Sequence, residues 1–351
     1  MIPVRVVRFN HWISSEFAIR LAQEKDVALI EINLKADEPQ AWDELSQAHI
    51  YQITAAVNEL PPQYRVNRQF LQRCPALLCV SSGGAGHDTV DVEACTKAGV
   101  VVMNQIGGNA GAVAEMAIGL MLAVSRRIVE SDQKLRTVRP FTRESVMGHD
   151  IGGKTLGLVG IGHAGTRTAH LAKAFDMRVL AVDPNLSAEA IRARGAEPVS
   201  LDSLLQQADI VSLHCPSEAA TINLFDAERF AAMKKGALFI STARGGVHDE
   251  KALFNALQTG HLSGAGLDVW EIEPPPLDHP LLTLPNVVAT HHTAGVSHEG
   301  RANVATMAAE QIVGLIGGVK PPRMVNPEVW DAFSARYQRA FKQVDGALRL
   351  T

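Results

Sequence analysis

The sequence has few cysteines and no paired cysteine motif. Its four cysteines show neither a C-x-x-C pair nor a spacing typical of zinc sites; they are Cys74, Cys79, Cys95 and Cys215. We therefore expect free thiols in a reducing compartment and no bound metal.

Long basic runs and long apolar runs are also absent. The formal net charge is −4, so nothing indicates binding to nucleic acid or to an anionic membrane. The longest apolar helix candidate, residues 110–124, carries Glu115 and is too short to span a bilayer. Residues 1–8 have a strand pattern and lack the apolar region of a signal peptide. We predict a cytoplasmic protein that binds neither nucleic acid nor a membrane.

A glycine-rich segment near the middle of the chain is the strongest positive signal. An apolar run at 156–159 leads into a G-x-G-x-x-G pattern, and a helix-compatible run follows at 167–175; the glycines are Gly160, Gly162 and Gly165. In such a pattern the first glycine allows a tight turn, the second lets a pyrophosphate approach the backbone, and the third lets the helix pack closely. The segment predicts a dinucleotide site at the N-terminus of a helix.

An acidic residue completes this fingerprint. A second strand pattern, residues 178–182, ends on Asp183, eighteen residues beyond Gly165. A carboxylate there can bind both ribose hydroxyls of the adenosine half and would repel a 2′-phosphate. The sequence therefore favours NAD over NADP as the cofactor.

The remaining pattern predicts two α/β domains. The 351 residues are enough for two domains, and 46% hydrophobic with 20% charged content is ordinary for a globular protein. Strand patterns alternate with helix patterns at 4–9, 27–32, 50–53, 77–80 and 100–102, and again at 209–213, 236–240, 262–267 and 287–290. We predict two Rossmann-like, doubly wound parallel-sheet domains. Residues 104–297 form the NAD-binding domain, and residues 1–103 with 298–351 form a discontinuous substrate domain.

Two further segments have less certain patterns. A long apolar helix should end near Arg127, and residues 131–150 look polar and irregular. A glycine loop, residues 81–86, follows the strand at 77–80. At the carboxyl end of a parallel strand such a loop can present backbone N–H groups to an anion, but a plain flexible turn fits the pattern equally well.

Reactive side chains follow several of the later strands. Arg244, Asp268, Glu273 and His292 all lie just past a predicted strand end, where open parallel sheets bind ligands. A histidine suits proton exchange at neutral pH, a neighbouring carboxylate would stabilise its charged form, and an arginine fork suits a carboxylate and a carbonyl oxygen. His291 and His292 are a poor metal pair because adjacent strand residues point to opposite faces.

At these residues the chain resembles the D-isomer-specific 2-hydroxyacid dehydrogenases, which include D-3-phosphoglycerate dehydrogenase, glyoxylate and hydroxypyruvate reductases and D-lactate dehydrogenase. The matching stretches are residues 83–91, 153–162, 213–216 with Thr221, 233–240, 242–245, 266–274, 292–295 and 326–330. The resemblance implies hydride transfer between NAD and a small 2-oxo or 2-hydroxy acid, and a homodimer formed through the cofactor domain.

The resemblance also assigns roles to residues. The catalytic residues would be Arg244, Glu273 and His292, with Arg244 also binding substrate beside the backbone loop of Gly84, Ala85 and Gly86. Asp268 would contact the nicotinamide carboxamide. The other cofactor contacts would be Gly160, Gly162, His163, Ala164, Asp183, His214, Cys215, Pro216, Thr221, Thr242, Ala243, His292 and Gly295.

Departures from the family pattern restrict which of the family's substrates this chain is expected to use. Phosphoglycerate members often carry arginines just after the third strand, whereas residues 53–57 here include no basic residue. We therefore expect an unphosphorylated acid such as glyoxylate or hydroxypyruvate, with phosphoglycerate dehydrogenase as the alternative. Formate dehydrogenases typically carry Gln at the position of Glu273, and phosphonate dehydrogenases typically carry a Lys in the 83–86 loop. The sequence therefore disfavours both activities. A non-catalytic NAD(H)-sensing scaffold of the corepressor type is the alternative from another class.

Overall fold

The computed structural model describes residues 3–11, 14–139 and 142–341. The strands are β1 (Val4–Phe9), β2 (Val27–Ile32), β3 (Ile50–Ile53), β4 (Cys79–Ser82), β5 (Val101–Met103), β6 (Thr155–Val159), β7 (Arg178–Val182), β8 (Glu197–Pro198), β9 (Ile210–Leu213), β10 (Leu238–Ser241), β11 (Gly264–Leu267) and β12 (Val287–Ala289). The helices are α1 (Ser15–Leu21), α2 (Glu38–Leu45), α3 (Arg68–Arg73), α4 (Val92–Lys97), α5 (Ala110–Ser125), α6 (Ile128–Thr137), α7 (His163–Lys173), α8 (Ala188–Ala193), α9 (Leu201–Gln207), α10 (Ala227–Ala232), α11 (Glu250–Gln258), α12 (His298–Ile316) and α13 (Trp330–Phe341).

The chain divides into two compact units. The first comprises Met1–Asn109 and His298–Thr351, and the second comprises Ala110–Ser297. Residues 104–109 thus belong to the first unit, whereas we expected them in the cofactor domain. Long-range hydrogen bonds explain the difference, because the Gln311 amide on α12 donates to the Gln105 side chain at 2.7 Å and to the Asn104 carbonyl at 3.0 Å. The sequence also predicts a charged helical end for the tail at 319–351, and the part of it beyond residue 341 lies outside the described residues.

The first unit contains, among its described residues, a five-stranded sheet with the order β2-β1-β3-β4-β5. All of its strand pairs are parallel. One face packs against α1, α12 and α13, and the other against α2, α3 and α4. This is the doubly wound order in which the chain reverses direction between β1 and β3.

The second unit contains, over the same described ranges, a seven-stranded parallel sheet with the order β12-β11-β10-β9-β6-β7-β8. Helices α5, α7 and α8 pack on one face, and α9, α10 and α11 on the other. The order is that of the dinucleotide-binding fold, with the reversal between β6 and β9. The predicted fold class, two doubly wound parallel sheets, is therefore confirmed.

Two local predictions were wrong. Strand β4 begins at Cys79 and not at residue 77, and it includes Ser81 and Ser82, which we assigned to the glycine loop. Within 131–150 the chain forms the second half of α6 and a short 3₁₀ turn, Arg143–Val146.

None of the helices in the described ranges is long and apolar enough to cross a membrane.

Candidate active site

The glycine fingerprint forms the turn between β6 and α7. Gly160 has φ +89°, a left-handed conformation that favours glycine, and a Cβ there would lie 2.9 Å from the Cys215 nitrogen. At Gly162, the N-cap of α7, no described atom lies within 4 Å of such a Cβ, whereas at Gly165 it would lie 2.4 Å from the Gly160 oxygen. The turn is therefore tight, open on the ligand side and closely packed beneath the helix. This geometry fits a pyrophosphate at the start of α7, which His163 opens.

The acid after β7 lies beside this turn. Asp183 accepts hydrogen bonds from the Ile161 nitrogen at 3.0 Å and from the Asn185 nitrogen at 3.1 Å. The sequence missed Arg194, whose guanidinium donates to the Ile161 carbonyl at 2.7 Å. No local pattern marks Arg194, because it reaches the turn only through the fold. A cation at the same turn as this acid bears directly on the choice between NAD and NADP.

The ends of β9 and β10 are joined through His214. Its ring contacts the Ser212 hydroxyl at 3.0 Å through Nε2 and the Thr242 hydroxyl at 3.5 Å through Nδ1. Burial lowers the pKa of His214 to about 4, so the ring is neutral at physiological pH. The Thr221 hydroxyl donates to the Pro216 carbonyl at 2.7 Å and so closes the loop after β9. These predicted cofactor residues thus lie together at the carboxyl ends of β9 and β10 in the second sheet.

A histidine–glutamate pair lies at the end of β12. The His292 Nδ1 and the Glu273 Oε2 are 2.7 Å apart, and the other Glu273 oxygen accepts from the Trp270 nitrogen at 3.2 Å. His292 has φ 47°, an uncommon conformation for a non-glycine residue, and its nitrogen donates to the Asp268 carbonyl at 2.6 Å. Backbone strain of this kind concentrates at functional sites. The pairing leaves Nε2 as the ring nitrogen available for proton exchange.

Burial and pairing act in opposite directions on Glu273. Burial alone would raise the pKa of its carboxyl group, but the hydrogen bond and charge of His292 and the bond from Trp270 lower this pKa below the ordinary value. Glu273 is therefore a carboxylate at neutral pH. Glu271, the competing acid two residues earlier, has an exposed side chain.

Asp268 fixes the backbone that carries His292. It is fully buried. Its Oδ1 accepts from the Thr290 hydroxyl at 2.6 Å and the Thr293 nitrogen at 2.8 Å, and its Oδ2 accepts from the Ala294 nitrogen at 2.8 Å. The carboxylate therefore holds the loop on both sides of His292.

Arg244 lies on the turn that follows β10. Its guanidinium donates to the neighbouring Ala243 carbonyl at 2.8 Å. A Cβ at Gly245 would lie only 1.9 Å from the Trp270 carbonyl oxygen, so the turn can approach the Trp270 segment only with glycine at this position. The close approach brings the Arg244 turn against the segment that carries Glu273.

The sequence missed a second histidine–glutamate pair that supports this segment. The His279 Nε2 lies 3.0 Å from one Glu250 carboxylate oxygen, and the other oxygen accepts from the Glu271 nitrogen at 2.8 Å. The His279 ring also contacts Trp270 edge to face. This pair holds the backbone just before Glu273. A histidine near a proline-rich turn was the only sequence signal for it.

The glycine loop of the first unit is held through its carbonyl groups. The Gly84 carbonyl accepts from the Gln105 nitrogen at 2.8 Å, the Ala85 carbonyl from the Asn104 amide at 2.8 Å, and the Gly86 carbonyl from the Ser82 hydroxyl at 2.6 Å. In a planar trans peptide the next N–H points opposite to the carbonyl. The N–H groups that follow these carbonyls, those of Ala85, Gly86 and His87, therefore point away from the groups that hold the loop, as an anion-binding loop requires.

Comparison with known proteins gives the class. A family model described as D-isomer specific 2-hydroxyacid dehydrogenase, NAD binding domain, matches residues 118–294. The second unit is therefore an NAD-binding domain, and the protein is an NAD-dependent oxidoreductase. More narrowly, the chain belongs to the D-isomer-specific 2-hydroxyacid dehydrogenase family.

Individual relatives show how far the likeness extends. A glyoxylate reductase of Korarchaeum cryptofilum is 39% identical over 75% of this chain and 80% of its own length. A D-3-phosphoglycerate dehydrogenase of Archaeoglobus fulgidus is 39% identical over 75% of this chain, but the match spans only 50% of that relative. The crystal structure of a glyoxylate reductase from Paecilomyes thermophila superposes with a TM-score of 0.81, at 26% identity over 93% of this chain and all of that one.

Proposed function

We propose that this protein reduces a small, unphosphorylated 2-oxo acid to its D-2-hydroxy acid with NADH, and catalyses the reverse oxidation. His292 is the acid and base, Glu273 is its partner, and Arg244 binds the substrate carboxylate and carbonyl oxygen. Gly84, Ala85 and Gly86 offer backbone N–H groups to the carboxylate. The observation that carries the proposal is the 2.7 Å pair between Glu273 and His292 on a fixed, strained backbone.

The residues of the chain divide the chemistry among themselves. When bound, NADH supplies the hydride that reaches the carbonyl carbon. The Arg244 fork polarises the carbonyl and orients the acid. As charge develops on the carbonyl oxygen, the N–H bond at His292 Nε2 breaks and an O–H bond forms on the substrate. The ionised Glu273 stabilises the imidazolium before transfer and keeps the ring oriented throughout.

The absence of a basic residue at 53–57 supports an unphosphorylated substrate. Arg65, the next cation along the chain, donates to the Val57 carbonyl at 2.8 Å, which ties its guanidinium to the backbone. The names of the relatives point to both possibilities, since the glyoxylate reductase and the D-3-phosphoglycerate dehydrogenase are each 39% identical to this chain over the matched residues.

The decisive experiment follows NADH consumption with glyoxylate, pyruvate, hydroxypyruvate and 3-phosphohydroxypyruvate. We expect turnover of the unphosphorylated acids and loss of that turnover in His292→Ala. A clear preference for the phosphorylated acid would favour phosphoglycerate dehydrogenase. NADH binding without any turnover would favour a sensing scaffold.

We also propose a cytoplasmic homodimer that is formed through the second unit. Exposed apolar side chains cluster in the segment that follows α5, and they are Ile128, Val129, Leu135, Val138 and Met147. Single exposed apolar residues are ordinary, but five on one segment support an interaction surface there. Light scattering after size exclusion should give twice the monomer mass, and Leu135→Glu should shift the protein towards the monomer.

A further inference from the structure

The first unit has a buried polar row at the carboxyl ends of its strands. Strand neighbours Arg8 on β1, Gln52 on β3 and Ser81 on β4 are register partners, so their side chains share one face of the sheet. Earlier positions on this face are apolar and form the core beneath α12, as Val6, Ile50 and Cys79 show. The face therefore changes from apolar to polar just where the strands end.

This row lies at the reversal point of the sheet. The order β2-β1-β3-β4-β5 places the reversal between β1 and β3, which are the strands that carry Arg8 and Gln52. In open parallel sheets the crevice at this point, beyond the carboxyl ends, is where ligands bind. The location alone makes the two side chains candidates for ligand contact.

Two atoms of the row are buried without a partner in the described structure. Arg8 is 8% exposed and Gln52 is 5% exposed. The Arg8 Nη1 and the Gln52 Oε1 have no hydrogen-bond partner among the described residues, whereas Ser81 accepts from Gln105 at 3.3 Å. A buried polar atom without a partner is unfavourable, so native proteins rarely leave one without a purpose. One unpaired donor and one unpaired acceptor thus share this site.

Both side chains line a cavity of about 30 Å³, together with His11, Thr54, Gly83 and Arg301. The volume has room for about two water-sized groups. Gly83 directly precedes Gly84, so the cavity adjoins the loop that we propose holds the substrate carboxylate.

The cations at the cavity are matched by carboxylates. The Arg8 Nε donates to a Glu31 oxygen at 2.9 Å, and an Arg301 nitrogen lies 3.9 Å from a Glu59 oxygen. Burial chiefly lowers the pKa of His11, so this ring is neutral at physiological pH. Among the described residues, the cavity therefore has no excess positive charge to offset a second carboxylate or a phosphate.

We propose that Arg8 and Gln52 form a specificity subsite for the hydroxyl group of a 3-hydroxy-2-oxo acid. A hydroxyl can accept from the Arg8 Nη1 and donate to the Gln52 Oε1 at the same time, whereas a carboxylate or phosphate oxygen can only accept. The carbon and oxygen of a hydroxymethyl group also match the size of the cavity. This inference rests on the proposed function, and it names hydroxypyruvate over glyoxylate and pyruvate as the preferred substrate.

The test compares substrates within each variant. Wild type should show a higher kcat/KM for hydroxypyruvate than for pyruvate, which carries a methyl group at the same position. In Gln52→Leu the hydroxypyruvate to glyoxylate ratio of kcat/KM should fall on the order of tenfold, the weight of one buried hydrogen bond. Arg8→Met should lower the ratio similarly. Arg5→Met is the matched control, because Arg5 also lies on β1 and pairs with a glutamate, Glu44, but does not line the cavity.

A binding measurement separates this inference from the proposed function. Calorimetry on the enzyme with NADH should show tighter binding of D-glycerate than of glycolate, and Gln52→Leu should remove the difference. Should wild type reduce no 2-oxo acid, the proposed function fails, yet the D-glycerate preference still decides the subsite. An unchanged ratio in both Gln52→Leu and Arg8→Met would overturn the subsite and leave the cavity as a site for ordered water. A preference for oxaloacetate, which carries a second carboxylate, would overturn it as well. Gln52→Met provides a second apolar variant should Gln52→Leu fold poorly.

Discussion

The seven-stranded and five-stranded sheets both consist of parallel strands, yet they bring different groups to their carboxyl edges. In the second unit the groups lie on turns beyond the strands, where Arg244, Glu273 and His292 have partly exposed, ionisable side chains. In the first unit they are backbone amides of the 84–86 loop and polar side chains inside β1 and β3. Under the proposed function, the second unit supplies reactivity, while the first supplies recognition. Substitutions in the two units should therefore affect kcat and KM differently.

The largest effect should come from His292. His292→Ala removes the proton donor, so kcat should fall on the order of 10²–10⁴-fold, the usual contribution of a positioned acid or base. NADH binding, measured by fluorescence titration, should persist, because His292 is only one of the predicted cofactor contacts and the glycine turn is untouched. An equal loss from substitutions in the 84–86 loop would remove the distinction between the units.

Arg244→Lys should have the next largest effect. An ammonium is a point charge and cannot reproduce the planar fork that holds two oxygens, so kcat/KM should fall about 10²-fold. Steady-state kinetics with glyoxylate measure this change. Arg178→Lys, an exposed arginine paired with Glu197 in the same unit, is the control. Near-normal activity in Arg244→Lys would show that only the charge of Arg244 matters.

Glu273→Gln should change the pH dependence of reduction. The variant lacks the carboxylate that lies 2.7 Å from the His292 ring and stabilises its protonated form, so the rate of reduction at alkaline pH should fall about tenfold relative to wild type. On the acid side, the lowered pKa of Glu273 keeps the pair ionised, and the pair is lost only as pH falls through that value. Glu271→Gln is the matched control. A shift confined to Glu271→Gln would transfer the role to that residue.

Cofactor preference tests the adenosine end of the second unit. We expect wild type to prefer NADH, because Asp183 lies where a 2′-phosphate would meet its charge. Asp183→Ser should raise the NADPH to NADH ratio of kcat/KM about tenfold, since Arg194 lies beside the same turn. Equal use of both cofactors by wild type would contradict the expectation. Adding Arg194→Leu to Asp183→Ser shows whether that arginine causes the improved use of NADPH.

The smallest effect should come from Ser82, which supports the 84–86 loop. Ser82→Ala removes the hydrogen bond to the Gly86 carbonyl, so one fewer hydrogen bond holds the loop in place. We expect KM for glyoxylate to rise about fivefold with little change in kcat. Ser145→Ala, an exposed serine of the second unit, serves as the comparison. A change in kcat alone would place the loop in the chemistry rather than in recognition.

The sequence was most informative where local geometry dictates residue type. Gly160, Gly162 and Gly165 occupy the turn, the open approach and the packed position that their spacing predicted. It was less informative for α6, whose central residues are polar and form i,i+4 ion pairs such as Lys134 with Glu130. Apolar periodicity cannot find such a helix.

Contacts between distant residues could not be predicted. Arg8 and Gln52 each interrupt an apolar strand, and only the register of β1 and β3 makes them neighbours. Gln105 joins the first unit through Gln311, 206 positions away. Such pairings depend on the complete fold and leave no local pattern in the chain.

The C-terminal segment has a consequence for the order in which the protein takes shape during synthesis. Asn326 accepts from the Val102 nitrogen at 2.8 Å and donates to the Val100 carbonyl at 3.0 Å, and so ties the segment to β5. During synthesis, every residue of the second unit leaves the ribosome before the C-terminal part of the first unit, which begins at His298, has been made. Domains generally fold as units while the chain emerges. We expect the second unit to fold first, while the N-terminal strands of the first unit stay partly exposed until α12 and α13 have been made.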